Sequence, residues 1–249
     1  MASAFWATPM ESLPPPRPAR KDISYGCDMT YQTQREQICQ VGKLLYDRGY
    51  VAANDGNISV LVDENRLLIT PSGVSKGRMN PEMLLLTDLD GNVLEGDRHP
   101  SSEGKMHLEV YRRRSDVRAV VHAHPPVSTA FAVCRRGLDT PYLAELVVGL
   151  GAVPCTPTFA MLSTEEVPQS IVPYLAEHNA LLLANHGALA WGGDLWEAFD
   201  RMEVVEHTAK IVLNAQMLGE PVALNKAEVF QLKSLQGMYQ KLREKRENV

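Results

Sequence analysis

Asn57-Ile58-Ser59-Val60-Leu61-Val62 and Arg66-Leu67-Leu68-Ile69-Thr70 are two β-rich runs separated by the polar triplet Asp63-Glu64-Asn65. Aliphatic and β-branched runs of this length that meet at a short polar turn pair antiparallel. The pattern recurs downstream. Met83 to Leu86 leads through the turn Asp90-Gly91-Asn92 into Val93-Leu94. Leu181-Leu182-Leu183-Ala184 returns through Asn185-His186-Gly187 into Ala188 to Trp191, so that a histidine sits at a hairpin tip. Three hairpins predict a sheet built by antiparallel pairing.

Helical periodicity fills the rest. Ile38, Val41, Leu44 and Leu45 recur at helical spacing, and Gly49 supplies a stop. Ser101-Ser102-Glu103 opens a helix running to Arg114, Val117 to His124 reads as a buried strand, and Pro126 to Arg135 as a helix. Leu143 to Val148, before the break Gly149-Leu150-Gly151, leaves strand and helix open, and a proline-bearing loop spans Pro154 to Pro168. Asp194 is an N-cap with Glu197 three residues on, and the helix it starts runs to Leu218 before Gly219 and Pro221. Residues 1–29, with Pro14, Pro15, Pro16 and Pro18, read as a Pro-rich arm, and residues 30–249 as one domain ending in a short charged helix from about Lys233.

The chain has 249 residues, 45% of them hydrophobic, enough for a sizeable core. A formal charge of -5 provides no global basic field for nucleic acid or an anionic membrane, so an anionic ligand has to be caught locally. The N-terminal stretch lacks the apolar core of a signal peptide, and no run reaches membrane-spanning length, which predicts a soluble, cytoplasmic protein. Cys27, Cys39, Cys134 and Cys155 are widely spaced and form no Cys-x-x-Cys pair, which predicts reduced, structural thiols.

Side chains at i and i+2 of a strand project from one face, so His122 and His124 can present two imidazoles to one ion. A catalytic zinc-type site uses three protein ligands and keeps a position open, and His186 supplies a third if its hairpin neighbours the first strand. Read alone, the same residues also fit hydrogen-bonded core histidines. His99, His107, His178 and His207 lie in charged or helical surface sequence, which predicts that they are not ligands. Ser101-Ser102-Glu103 places two hydroxyls and backbone N–H groups at a helix start, a local anion site. Thr70-Pro71-Ser72-Gly73 and Gly56-Asn57 are two further candidates, though each also reads as an ordinary cap or turn.

Asp55-Gly56-Asn57-Ile58-Ser59, Ile69-Thr70-Pro71-Ser72-Gly73, Pro100-Ser101-Ser102-Glu103, Val121-His122-Ala123-His124 and Asn185-His186-Gly187 occur in one order at compatible intervals. In this the chain resembles the class II aldolase/adducin family over about residues 35 to 219, and its fuculose-phosphate aldolase branch in particular. The resemblance implies an α/β fold, a three-layer α/β/α arrangement with a central, mainly antiparallel sheet, and active sites between subunits of a homotetramer. It implies zinc (or manganese or cobalt) on His122, His124 and His186, and Glu103 as acid/base. Asn57, Ser72, Gly73, Ser101 and Ser102 match phosphate-binding positions. Glu145 stands where the fuculose enzyme has a tyrosine that serves the leaving aldehyde, and Tyr239 matches a tyrosine that closes over the site. The implied reaction is reversible cleavage of a ketose 1-phosphate of the fuculose or 5-deoxypentulose type to dihydroxyacetone phosphate and an aldehyde. Pentulose-phosphate 4-epimerisation, methylthioribulose 1-phosphate dehydration and a non-catalytic adducin-like binding module are the alternatives.

Overall fold

The computed structural model describes residues 31–235. The proposed Pro-rich arm of residues 1–29 and Tyr239 lie outside these residues. Seven strands form one sheet in the order β4-β3-β2-β1-β5-β7-β6, and every neighbouring pair is antiparallel. The first expected hairpin is β1 (Asn57–Leu61) with β2 (Arg66–Ile69), and the second is β3 (Leu85–Asp88) with β4 (Val93–Glu95). The third is β6 (Ala180–Leu183) with β7 (Gly187–Gly192), and β5 (Ala119–Ala123) lies between β1 and β7. This last placement matters most, because it brings the third hairpin beside the His122 strand.

Alternation along the strands sends side chains into two separate clusters. Ile58, Leu68, Ala119, Val121, Leu182, Ala188 and Ala190 join residues of α1 (Gln32–Asp47), α3 (Pro126–Val133) and α6 (Leu195–Leu218). Leu67, Ile69, Val120, Leu181, Leu183, Leu189 and Trp191 pack instead against α2 (Gly104–Arg113) and α5 (Glu166–Ile171). Helices therefore cover both faces of the sheet. β5 is buried at all five positions, which explains why its sequence is aliphatic apart from one histidine.

The long helix α6 begins as its sequence indicates, with the Asp194 carboxylate accepting from Glu197 N–H at 2.8 Å. The acidic partner bonds one residue earlier than in the usual capping box: Glu197 Oε2 accepts from Gly193 N–H at 2.7 Å. In mid-helix, the fully buried Glu206 accepts from Val127 N–H (3.2 Å) and Ser128 N–H (2.8 Å), capping α3 directly after His124.

Some elements differ from the sequence expectation. Leu143 to Val148 resolves as helix α4 (Ala144–Gly149), with Leu146 and Leu150 turned into the core. The loop ending at Pro168 is shorter than expected, since α5 starts at Glu166 and carries Pro168 in its first turn, where no intrahelical N–H is needed. His107 is fully buried on α2 rather than at the surface. Its spacing with Val110 and Tyr111 is that of the buried face of α2. Cys39, Cys134 and Cys155 are free thiols, as expected; Cys27 lies outside the described residues. None of the described helices is long and apolar enough to cross a membrane.

The Asp194 cap yields a direct test of this helix start. Asp194→Ala should lower the unfolding free energy by about 1 kcal/mol, measured by denaturant or thermal unfolding, without altering the sheet.

Candidate metal centre

His122 is the fourth residue of β5 and lies opposite Asn57 on β1 and Leu189 on β7. His124 follows one residue after the strand, with its N–H donating to the Tyr50 carbonyl at 2.8 Å. His186 occupies the β6–β7 turn, where Asn185 adopts a left-handed conformation (φ 56°) and His186 N–H donates to Leu183 O at 3.0 Å. The three rings converge, with centroids 4.9 Å (His122–His124), 4.7 Å (His122–His186) and 5.1 Å (His124–His186) apart. One nitrogen from each lies within 4.8 Å of the others, and among the described residues this is the one group able to hold a metal ion.

Two glycines make this convergence sterically possible. A Cβ on Gly187 would stand 2.5 Å from His124 Cδ2 and 2.6 Å from Ala123 O. Gly56, at φ 72°, brings its backbone against His122, where a Cβ would lie 2.7 Å from the carbonyl oxygen.

The chemistry of the donors fits a cation. His122 Nδ1 sits 2.9 Å from the Ala188 carbonyl, which only accepts, so Nδ1 carries the proton and Nε2 presents its lone pair. Burial pushes the imidazolium of His122 down to about 3, leaving the ring neutral at ordinary pH. Burial lowers His124 as well. His124 Nε2 lies 3.1 Å from His122 Nε2, and Glu103 approaches from the other side. Its carboxylate is 3.4 Å from His122 Nε2 and 2.9 Å from His186 Nε2. A cluster of three imidazoles beside a carboxylate matches the donor preferences of zinc and its first-row neighbours.

Glu103 is held in place. It immediately precedes α2, and Asn57 Nδ2 donates to its Oε2 at 2.8 Å. Burial alone would raise its pKa, but His122, His186 and Asn57 together keep the carboxyl well below the usual range. The same Asn57 amide donates to Ser101 Oγ at 3.1 Å. Ser72 N–H donates to His99 O at 2.9 Å and Pro71 pairs with Pro100, which sets the Ser72-Gly73 loop against the Ser101-Ser102 turn. Five anion-binding candidates from three separate motifs, Asn57, Ser72, Gly73, Ser101 and Ser102, thus line adjoining loops. Ser102, Ser72 and Gly73 are exposed.

Glu145 is placed apart. It is exposed in the first turn of α4, which packs on the α6 side of the sheet, and shares no hydrogen bond or ion pair with the histidine cluster among the described residues.

Sequence reasoning gave no role to three groups near this centre. Asp55 Oδ2 lies 3.4 Å from His124 Nδ1. Lys76 is buried, with its ammonium donating to Val74 O (2.7 Å) and Asn54 O (3.2 Å). Burial lowers its pKa to about 8, while Asp55 and Glu103 pull the other way. His107, one helical turn beyond Glu103, bonds through Nδ1 to Ser59 Oγ at 2.7 Å, and Tyr111 OH lies 2.9 Å from the same oxygen. Asp55 falls inside a motif already singled out, and the helical period of α2 points His107 inward. Lys76 has no such signal.

Similarity to known proteins agrees with this site. The sequence profile of the class II aldolase and adducin N-terminal domain matches residues 36–213. A 3-oxo-tetronate 4-phosphate decarboxylase of Haemophilus influenzae is 36% identical over 193 residues, 76% of this chain and 90% of that protein. A 5-deoxy-D-ribulose 1-phosphate aldolase of Bacillus thuringiensis is 35% identical over 203 residues, 81% of this chain and 94% of that protein. A solved L-fuculose 1-phosphate aldolase superposes with a TM-score of 0.77 at 33% identity, covering 84% of this chain and 98% of that one. Because the matching region takes in every residue of the histidine cluster from Asp55 to Gly187, the chain belongs to the class II aldolase and adducin family.

Proposed function

We propose that this protein is a divalent-metal lyase that breaks a carbon–carbon bond in a small sugar phosphate and leaves the enediolate of dihydroxyacetone phosphate. The convergence of His122, His124 and His186 on one point beside Glu103 carries this reading. The three imidazoles would hold the ion, zinc by their donor chemistry, with manganese or cobalt as substitutes. When bound, such an ion supplies Lewis acidity toward a carbonyl oxygen and so takes the place of a Schiff-base lysine. Asn57, Ser72, Gly73, Ser101 and Ser102 would bind the phosphate. Glu103, fixed by Asn57, would serve as the acid/base: resting ionised, it first takes a proton, ultimately from the C4 hydroxyl in aldol cleavage or from water in decarboxylation, and then gives it to the enediolate carbon to complete the triose phosphate. The two-sided covering of the sheet supports the three-layer family arrangement, and a cytoplasmic homotetramer with shared sites accords with it.

The leading reaction is aldol cleavage of a ketose 1-phosphate, as in the 5-deoxy-D-ribulose 1-phosphate and L-fuculose phosphate aldolases among the relatives. A specific observation favours decarboxylation as the second reading. Losing an aldehyde requires a group that takes the C4 hydroxyl proton, and Glu145 stands where the fuculose enzyme has its tyrosine. Losing CO2 from a 3-oxo acid phosphate requires no such group, and it yields the same enediolate. Several similar relatives are 3-oxo-tetronate 4-phosphate decarboxylases. In the aldol reading Glu145 serves the aldehyde end from a neighbouring subunit, and Tyr239 closes the site.

Incubating the purified protein with ketose 1-phosphates and with 3-oxo-tetronate 4-phosphate, with and without chelator, tests both readings. Chelator-sensitive release of dihydroxyacetone phosphate is expected, with an aldehyde from the first substrates or CO2 from the second. Neither product, together with no bound metal, would overturn the lyase reading and favour a binding module. Glu103→Gln should retain the metal and lose about 10²- to 10⁴-fold in kcat. Glu145→Gln should slow aldol cleavage more than it weakens binding; unchanged turnover removes Glu145 from the mechanism. Gly187→Ala should reduce metal content in elemental analysis, because its methyl occupies the space of the His124 ring.

A further inference from the structure

We infer that Asp55 is a positioning residue for the metal centre: it keeps the proton of His124 on Nδ1 and so aims the Nε2 lone pair at the ion. This rests on the metal-lyase reading above, and it concerns a residue that is not itself one of the three ligands. The geometry begins with the two nitrogens of His124. Nε2 faces into the cluster, 3.1 Å from His122 Nε2, while Nδ1 faces outward, 3.4 Å from Asp55 Oδ2. A carboxylate beside Nδ1 favours the proton there by its charge, across a longer distance than the hydrogen bond by which the Ala188 carbonyl holds the His122 proton. Without such an outer partner an imidazole is free to carry its proton on Nε2, and in that form it cannot ligate through that atom.

Asp55 is held in position by backbone contacts on both sides. Its N–H donates to Ala52 O at 2.8 Å, closing a turn in which Ala53 adopts φ 46°. Gly56 follows at φ 72° with its Cα packed against the His122 carbonyl, a contact that excludes a side chain. The preceding residue is anchored by Lys76, whose buried ammonium donates to Asn54 O. Lys76 lies in a segment clamped by α1, where a Cβ on Gly42 would meet Lys76 O at 2.8 Å. An ammonium is costly to bury, and this one spends a donor on the carbonyl next to Asp55. The turn is thereby tied to the core rather than left to solvent, although Asp55 itself is partly exposed.

The test uses the full chain and zinc alone, titrated in competition with a chromophoric chelator. Asp55→Ala should weaken zinc binding about ten- to hundredfold, and Asp55→Asn, which keeps an acceptor oxygen but no charge, should fall between it and the parent. Asp55 is partly exposed and belongs to neither hydrophobic cluster, so the melting temperature of the metal-free protein should be unchanged. In the metal-free protein, where the His122 Nε2 lone pair 3.1 Å away competes for the same proton, long-range ¹⁵N NMR of the imidazoles should show a larger Nδ1-protonated share of His124 in the parent than in the Asp55→Ala variant. Zinc affinity of Asp55→Ala within twofold of the parent overturns the inference. So does weakened zinc with an unchanged His124 tautomer, which would assign the effect to charge alone. A parent protein that takes up no zinc, manganese or cobalt would defeat the metal-lyase reading instead, and the tautomer comparison would still judge Asp55 separately.

Discussion

One hydrogen bond orders the centre, the one between His122 Nδ1 and the Ala188 carbonyl. It joins two neighbouring strands, fixes which nitrogen bears the proton, and leaves a lone pair directed into a cluster from which burial excludes charge on the ring itself. His124 Nε2 and the Glu103 carboxylate both approach that lone pair, at 3.1 and 3.4 Å. Ala188 can offer its carbonyl there because β7 pairs with β5 in a register that sets Leu189 opposite His122 and Ala188 opposite Ala123. A one-residue slip would turn His122 toward the opposite face, where α1, α3 and α6 pack. The convergence of the imidazoles is thus a property of strand register, and the alternation in β7 of small Ala188 and Ala190 on one face with large Leu189 and Trp191 on the other fits that register.

Rigid elements supply the remaining pieces in complementary ways. His186 is delivered by a hairpin tip, Glu103 by the start of a helix, and His124 by the residue at which β5 ends and the chain turns into α3. That turn is held by Glu206, a carboxylate reaching from the middle of α6 to the first N–H groups of α3. Removing a buried carboxylate that satisfies two amides would strand them, at a cost of about 1–3 kcal/mol for each unpaired group. Glu206 therefore matters for where His124 points, although it is remote in sequence and touches no ligand.

Much of this was legible in the sequence where the signal is local. The three hairpins, the α6 cap at Asp194 and the His-x-His spacing each depend on a few consecutive residues, and each appears in the structure. The proximity of His186 to His122 was not deducible from spacing; it required the strand order β5-β7-β6, which is a tertiary fact. Asp55 and Lys76 escaped for a related reason. A carboxylate in a Gly-containing turn and a lysine among polar residues are ordinary surface features until the fold sets one beside His124 and buries the other. His107 was misread as surface because its neighbours Lys105 and Glu109 are charged, whereas the helical period pairs it with Val110 and Tyr111. Pro168 suggested a loop because proline disfavours helix interiors, yet its position in the first turn of α5 carries no such penalty.

Charge links the two halves of the proposed site. The chain is acidic overall, and the centre holds Asp55 and Glu103, while the residues proposed for phosphate, Asn57, Ser72, Gly73, Ser101 and Ser102, are themselves all uncharged. At an effective dielectric of about 20, two like charges about 6 Å apart repel by roughly 3 kcal/mol. A phosphate dianion brought close to these carboxylates would therefore lose much of what hydroxyls and backbone amides can return. A divalent ion on the histidines would reverse that balance, and the buried Lys76 ammonium, bonded to Val74 O and Asn54 O, adds to it. On this argument an ion held by the histidines would do more than polarise a carbonyl: it would offset the carboxylates that oppose a phosphate, so metal and sugar phosphate should be taken up as coupled ligands rather than independent ones.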